Sequence, residues 1–570
     1  MRFLTRLRWA RYASPTFSAR TSPVSPSCTM AAASLLCGLQ GIQSGRTFMA
    51  AQPTAMAESD PVTGPAAPGA VEPAPPHTHD LRDIKRRSVR GGLVTMGSQL
   101  LGVLIQLVST TVLARLLSPK DYGIVAMVTA VNALAGLFRD LGLSSAAIQK
   151  TELKPELETN LFWINVGMGT ALTVLVAVCS PAIAAFYRTP EVLSVTLVLS
   201  TSFVIGSFGT QHNARLTREM RFERRAIATV AGALVTLLVS LVLALKQASY
   251  WALVWGNLAG TVCSSALLYA LSPFRPGLPT AISADLRELL RFGYHVTAFD
   301  FVNYLHRNLD NVLIGRYWGV GPLGLYTRAY TLLMLPIQQV RGPINSVAFP
   351  ALSRLAQQPQ KFREYYLQTT LLLAVTTMPL AAFLFVAAKP LVIILLGKQW
   401  IGVAPIFSYL ALAAFVQPVL GFTGSLLLSL GRAKRQLHCG MFNAGVLMVG
   451  FLVGLPWGPA GVALSYSIGN WLVAPVWLRL ALHDSPVSVR DWLASCTWPA
   501  VASATSALLA YLAPLLLEGD AAWQELAVSS AVFGTALLVW AYLTPPGRRV
   551  RNLLMSIAAQ LGRRGKPAPL

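Results

Sequence analysis

The chain has 570 residues, of which 54% are hydrophobic and only 12% charged, and a mean hydropathy of +0.54. A water-soluble core does not absorb so much apolar sequence, so the solvent it implies is a membrane. The formal charge of +23 raises nucleic acid as a partner, but the Lys and Arg residues punctuate apolar segments instead of gathering on a soluble face, which excludes it.

The first 57 residues carry Arg2, Arg6, Arg8, Arg11, Arg20 and Arg46 and no acid, a composition shared with transit peptides. No apolar run there is long enough to span. A start codon placed too far upstream, with Met49 or Met56 as later starts, gives the same pattern. From Gln52 to Asp80 the text is Pro/Ala-rich and cannot bury a core. Residues 1–83 are therefore expected to be a disordered extension.

From Leu93 onward apolar runs recur, each near the twenty residues a helix needs to cross roughly 30 Å of hydrocarbon. They are predicted near Leu93–Leu117, Tyr122–Ala147, Leu161–Phe186, Val192–Phe208, Ala226–Leu245, Trp251–Leu271, Phe292–Arg316, Leu323–Phe349, Tyr366–Ala388, Ile401–Leu420, Leu437–Leu455, Ala460–Leu480, Trp492–Leu517 and Leu526–Leu543. The expected fold class is an all-α polytopic membrane protein of about fourteen transmembrane helices. Two pseudo-symmetric six-helix bundles are expected over 84–275 and 276–483, with two further helices over 484–545 and a basic cytoplasmic tail over 546–570.

Charge tests that count, because alternate connections should be rich in Lys and Arg. The segment before the first helix (Arg82 to Arg90), the fourth connection (Arg215 to Arg225), the sixth (Arg275, Arg287, Arg291), the eighth (Arg354, Lys361, Arg363), the tenth (Arg432, Lys434, Arg435) and the tail are basic, the second and twelfth less so. The odd connections hold scattered Lys120, Arg188, Lys246, Lys389 and Lys398, and the last has Glu518, Asp520 and Glu525 without a base. Both termini are expected to be cytoplasmic. The six cysteines form no CxxC pair, and Cys179, Cys263, Cys439 and Cys496 fall in or beside apolar stretches, where they are expected to serve as small core residues.

A repeat appears when Leu113 to Val125 is laid on Ile314 to Tyr326. Both read aliphatic, small, Arg, seven residues, Gly, aliphatic. The two segments occupy the same turn of each proposed bundle, where a duplicated bundle should match.

The seventh predicted helix is the least lipid-like. Asp300, Asn303, Arg307 and Asp310 recur at spacings of three, four and three, one helical face. A charge at the bilayer centre costs about 2.5–3.5 kcal/mol on insertion scales, so this face implies a bundle interior or a wet cavity. Arg307 lies roughly 24 Å of helix past Arg291, too far to snorkel easily. An ion pair of Arg307 with Asp300 or Asp310 that merely locks helices is an equal reading. The other intramembrane charges are Arg139 and Asp140 in the second helix and Arg328 and Arg341 in the eighth, with Asp140 opposite Arg341 in the ungapped repeat. The excess of cations suits a phosphate or pyrophosphate, although Arg139 and Arg341 also suit anchoring among headgroups.

Gly319, Gly321 and Gly324 spell G-x-G-x-x-G but follow an apolar helix with no βαβ unit, so they indicate a tight external turn with Pro322 opening the next helix. His295 and His306 read as hydrogen-bonded spacers or proton relays. Pro336, Pro343, Pro379 and Pro418 read as kinks or hinges. Neither a catalytic constellation nor a metal site nor a cofactor motif stands out.

The stretch Asn303 to Pro336 (NYLHRNLDNVLIGRYWGVGPLGLYTRAYTLLMLP), followed by Val347 to Arg354 (VAFPALSR), resembles Wzx-type polysaccharide transporters. The first half agrees, with LARLLSPKDYGIVA and then DLGLSSAAIQK (Asp140 to Lys150). The similarity runs from Ile84 to the tail and is greatest to the colanic-acid-exporter-like branch. It implies a member of the multidrug/oligosaccharidyl-lipid/polysaccharide exporter superfamily that flips polyprenyl-pyrophosphate-linked sugar repeats across the bacterial inner membrane by alternating access. It also implies a lipid-linked oligosaccharide and membrane lipids as partners, with a polysaccharide polymerase and a chain-length regulator beside them. The family's polar residues in the seventh helix map to Asn303, Arg307, Asp310 and Asn311. On this reading Arg307 and Arg328, with Asn303, Asn311, Arg139 and Arg341, attract the anion, while Asp300, Asp310 and Asp140 couple or gate. The rivals are a cation or drug antiporter, which needs an acidic cavity, a glycan polymerase or glycosyltransferase, which needs a sizeable external loop, and a lipid II flippase, which only the family branch sets aside.

Overall fold

The computed structural model describes residues 81–140, 154–279, 304, 308–516, 521–552 and 555, the side chains of 81–93, 140, 515 and 516 excepted. All of these fall in the unit His79–Leu570. Within lipid, every backbone N–H and C=O must be satisfied inside its own segment, and regular structure among the described residues is accordingly helical throughout.

The first six helices are α1 (Leu81–Leu116), α2 (Pro119–Asp140), α3 (Pro155–Tyr187), α4 (Glu191–Arg218), α5 (Phe222–Leu245) and α6 (Trp251–Leu271). A helix over 308–318, α7, leads into α8 (Val320–Leu355), α9 (Pro359–Val386), the short α10 (Ala388–Leu395), α11 (Val403–Gly421), the short α12 (Thr423–Ser429), α13 (Ala433–Gly454) and α14 (Gly458–Leu482). The chain closes with α15 (Val489–Leu512) and α16 (Ala522–Leu543). Local chemistry sets several ends. Prolines open α3 and α9, where the missing N–H costs no bond. Ser488 and Asp491 form a capping box on α15. Gly319, at φ +79°, turns the chain directly into α8.

Eleven stretches of the described residues are long and apolar enough to cross a membrane. One of them, Ala433–Leu482, is split by the 3-10 turn Leu455–Trp457 into α13 and α14. Helices stand at thirteen of the predicted positions, while most of the seventh lies outside the described residues. The boundaries differ from expectation in two informative places. The first span, expected at Leu93–Leu117, is Val94–Leu116, but its helix reaches back to Leu81 because the basic opening is polar yet helix-compatible. The connection after α9 is not a plain loop but contains α10 and a 3-10 turn over Lys398–Trp400; apolar composition continues through Ala387, so hydropathy does not register the break. Cys439 and Cys496 are buried as expected, but Cys179 is exposed on α3, which corrects its assignment to the core.

Core formation is lopsided. At the end carrying the sparsely charged connections, one continuous core joins residues of the first six helices, such as Leu113, Tyr122, Tyr187 and Val254, to Ile314, Tyr326, Trp400 and Phe451 of the following ones. At the end carrying the basic connections the cores formed by the described residues are separate. Phe162, Val166 and Phe274 pack within the first half, and Leu352, Phe362, Phe422 and Leu482 belong to the second, with Cys496 of α15 packed on them. Among the described residues, the two halves therefore share a core, the seal, at one end and none at the other.

Candidate functional site

The seal is built where the repeated segments meet. Helices α2 and α8 start side by side and pack along each other. A Cβ on Gly123 would overlap the carbonyl oxygen of Val320, and one on Gly324 would overlap that of Pro119, so only glycine permits the crossing. Further bonds join the halves around it. Arg115 donates to the Ile394 carbonyl at 2.7 Å, and Gln399 and Trp400 each donate to the Ala114 carbonyl at 2.7 Å. Tyr304 donates to the Ala130 carbonyl of α2 at 2.7 Å.

Beneath this seal lies a cavity of about 590 Å³ between the halves. Helix α1 contributes Gln106, Ser109 and Thr110, α2 contributes Tyr122 and Thr129, and α5 and α6 contribute Thr236, Ser240 and Asn257. The second half adds Tyr304, Asn308, Asn311, Thr327 and Arg328. Hydroxyls and amides thus dominate its polar groups, and Arg328 is the one charged side chain among the described residues that line it. The Arg328 guanidinium lies 3.7 Å from the centroid of the Tyr122 ring. Its Nε is buried without a hydrogen-bond partner.

A second cavity, of about 230 Å³, lies inside the second half and is lined by Asp310, Arg341, Gln417, Asn443, Tyr466 and Asn470 among others. Asp310 is 4% exposed. The Tyr326 hydroxyl donates to its Oδ2 at 2.7 Å, and the Asn311 backbone N–H to its Oδ1 at 2.8 Å. Arg139 lines a third cavity, of about 520 Å³, in the first half. That cavity shares Ala233, Thr236 and Asn257 with the central one.

The anticipated residues therefore part company. Arg328 and Asn311 share the central cavity, Asp310 and Arg341 the second, and Arg139 the third. Asp300, Asn303 and Arg307 lie outside the described residues, as does the side chain of Asp140. Asp310, expected on a face turned to a bundle interior or a wet cavity, lines the second cavity, while Asn308 and Asn311 line the central one. Successive residues of a helix point about 100° apart, so α7 is a partition between two cavities. Gln106, Tyr122, Thr236, Asn257 and Asn308 escaped the sequence reading, which weighed charges in apolar runs and, Asn303 and Asn311 apart, passed over uncharged amides and hydroxyls.

One symmetry was not visible in the sequence. Arg139 of α2 lies against Gly206 of α4, where a Cβ would sit 2.6 Å from its Nη1. Arg341 of α8 lies against Gly421 of α11, where a Cβ would sit 3.0 Å from its Nη2. The corresponding helices of the two halves thus repeat one device, an arginine on a glycine shelf. The ungapped repeat, which set Asp140 against Arg341, missed it by one residue.

The profile of a family described as polysaccharide biosynthesis protein matches residues 112–405, slightly more than half of the chain. The chain belongs to this family. It is 25% identical over 450 residues to the lipopolysaccharide biosynthesis protein WzxC of Escherichia coli, covering 77% of this chain and 90% of the relative. The teichuronic acid biosynthesis protein TuaB of Bacillus subtilis is 25% identical over 408 residues, 69% of this chain and 83% of its own. The succinoglycan biosynthesis transport protein ExoT of Rhizobium meliloti is 24% identical over 309 residues, 54% and 62%. Among solved structures, the fold is similar to the lipid II flippase MurJ in an inward closed conformation, with a TM-score of 0.66 and 14% identity over 82% of this chain and 100% of that one. A multidrug resistance MATE family transporter in its inward-facing conformation gives a TM-score of 0.55 at 17% identity, over 67% and 94%. These likenesses place this family member among multi-span helical membrane proteins of the transporter fold.

Proposed function

We propose that this protein is a flippase of the bacterial inner membrane that carries polyprenyl-pyrophosphate-linked oligosaccharides across the bilayer by alternating access, for exopolysaccharide or O-antigen export. It is a transporter, not an enzyme. The observation that carries this reading is the central cavity: one arginine set among amides and hydroxyls. A sugar offers hydroxyls to hydrogen-bond, and a pyrophosphate offers charge that a guanidinium matches in geometry. A cation or drug antiporter needs an acid in that place, and no acid lines the central cavity among the described residues.

Charge alternation places the basic connections and both termini in the cytoplasm. The sealed end is then periplasmic and the separated end cytoplasmic, an inward-facing arrangement. Residues 84–275 and 276–483 act as two lobes that rock about the cavity, with 484–545 as an added pair of helices. Arg328, with Arg307, attracts the pyrophosphate. Asn303 and Asn311 contact the sugar end, and Arg139 and Arg341 gather headgroups at the cytoplasmic mouths. Asp300, Asp310 and Asp140 are the coupling or gating carboxylates. A polysaccharide polymerase and a chain-length regulator receive the product.

The test is lipid-linked oligosaccharide flipping in vesicles containing the purified protein. Arg307→Ala and Arg328→Ala are expected to lower the rate at least tenfold at equal protein levels. Normal rates in both variants would sink the site assignment, and no flipping by the unaltered protein would sink the function.

A further inference from the structure

The cation of the central cavity is also part of the seal above it. Tyr122 belongs to α2 of the first half, yet among the described residues its aromatic and its cation contact are both with the second. Arg328 of α8 lies 3.7 Å from the ring centroid on one side, and Trp400 meets it edge-on at 5.4 Å. Trp400 is fully buried, and its indole N–H is committed to the Ala114 carbonyl of α1. The tyrosine is 4% exposed and its hydroxyl has no partner among the described residues, so what holds it is the ring. Immediately beside it Gly123 makes the backbone crossing with α8.

A guanidinium on an aromatic face is held by the ring's quadrupole, and more strongly where water is excluded. The same guanidinium, with Nε unpartnered and no carboxylate within reach among the described residues, is the group that an entering anion would seek. A pyrophosphate offers it charge-assisted hydrogen bonds, which are stronger than a ring contact. Arg328 does not hold both partners in its present geometry without dividing its charge between them. Cargo that binds the arginine therefore weakens the hold of the second half on Tyr122. A ligand shifts a conformational equilibrium by its differential affinity for the two states.

We propose that Tyr122 is a positioning residue that locks the periplasmic seal through Arg328, and that an anionic cargo headgroup opens the seal by drawing Arg328 off the ring. This rests on the reading that Arg328 takes the pyrophosphate. It adds a reason for the empty carrier to stay closed to the periplasm, and a reason for the loaded one to open.

The seal is read by the distance between spin labels at Lys246→Cys and Lys389→Cys, two exposed residues on opposite halves at the sealed end, with the native cysteines replaced and the protein in vesicles. Without cargo, the unaltered residue at 122 should give a single short distance. Undecaprenyl pyrophosphate should add a long one, and undecaprenol, which lacks the charge, should not. Tyr122→Leu should raise the open-to-closed ratio roughly 5- to 30-fold without cargo, the scale of one lost cation–π contact, and should blunt the further response. Tyr122→Phe keeps the ring and should match the unaltered protein.

A closed distance in Tyr122→Leu, with a normal response to undecaprenyl pyrophosphate, overturns the lock while leaving the anion site standing. Undecaprenyl pyrophosphate binding that is unchanged in Arg328→Gln overturns the anion site itself. If Tyr122→Leu does not reach the membrane, phenylalanines of increasing fluorination at 122 keep the shape and drain the ring's charge. The open fraction should then climb with each fluorine, and a flat series overturns the lock.

Discussion

Were Gly324 given a side chain, its Cβ would lie 3.1 Å from the backbone nitrogen of Gly123 and would overlap the carbonyl of Pro119. The two glycines are equivalent positions of the internal repeat, each set into the first turn of the other half's helix. The contact is therefore an approximate two-fold at the seam that alternating access has to break. Either Gly123→Ala or Gly324→Ala must push α2 and α8 apart, and overpacking of this kind costs about 1–3 kcal/mol. Both variants are expected to fold, to favour the state open at the sealed end, and to flip cargo poorly. Accessibility of a cysteine at Ala126, on the cavity wall a turn below, measures the shift. Unchanged accessibility in both would show that the crossing is not part of the gate.

The two arginine shelves invite a symmetrical experiment. Gly206→Ala would place a methyl 2.6 Å from Arg139 Nη1, and Gly421→Ala 3.0 Å from Arg341 Nη2. A long side chain yields by rotating, so each change is expected to cost less than about 1.5 kcal/mol of stability while moving a guanidinium out of its place. If the arginines gather headgroups at the cytoplasmic mouths, the rate of flipping at low cargo concentration should fall several-fold and recover at high concentration. A loss that cargo does not restore would assign the shelves to the moving machinery.

How legible this was follows from which forces leave marks on a sequence. Span lengths and the basic connections are written in composition, because lipid and the translocation machinery read composition. Gly123 and Gly324 were legible as a matched pair because duplication preserved them. The separation of Asp310 from Arg328 was not, since both are polar residues in apolar surroundings and only the packing of α7 between two cavities tells them apart. Tyr122 left no mark either. An aromatic residue near a helix start is ordinary, and its partner Arg328 lies 206 positions away, at no fixed spacing that a pattern could show.

Asp310 and Tyr326 form a buried pair in the second half, joined at 2.7 Å. Removing the hydroxyl with Tyr326→Phe strands a buried carboxylate, which costs about 1–3 kcal/mol, whereas Asp310→Asn with Tyr326→Phe removes both sides of the bond. The double variant is expected to be more stable than the sum of the singles by about 0.5–3 kcal/mol in a mutant cycle, read by thermal unfolding in detergent. If Asp310 couples transport to an ion, Asp310→Asn should abolish flipping while the protein stays folded. Retained flipping would reduce the pair to architecture.

Glu158 and Arg215 offer the sharpest contrast between removing a charge and stranding one. Glu158 on α3 is 2% exposed and receives Arg215 of α4 at 2.7 Å, while Arg215 also bonds Glu219 at 2.5 Å. Arg215→Ala takes away the ion pair and leaves the buried carboxylate with Gln211 and the attraction of Arg218, a loss of about 1–3 kcal/mol. Glu158→Gln keeps the shape and a hydrogen-bond acceptor, and leaves Arg215 with Glu219. It should cost less than half as much. Unfolding midpoints of the two variants decide the order. Because the pair ties α3 to α4 at the basic end, away from the central cavity, Glu158→Gln should flip cargo at the normal rate, and a variant that is stable but inactive would move this pair from the scaffold into the transport cycle.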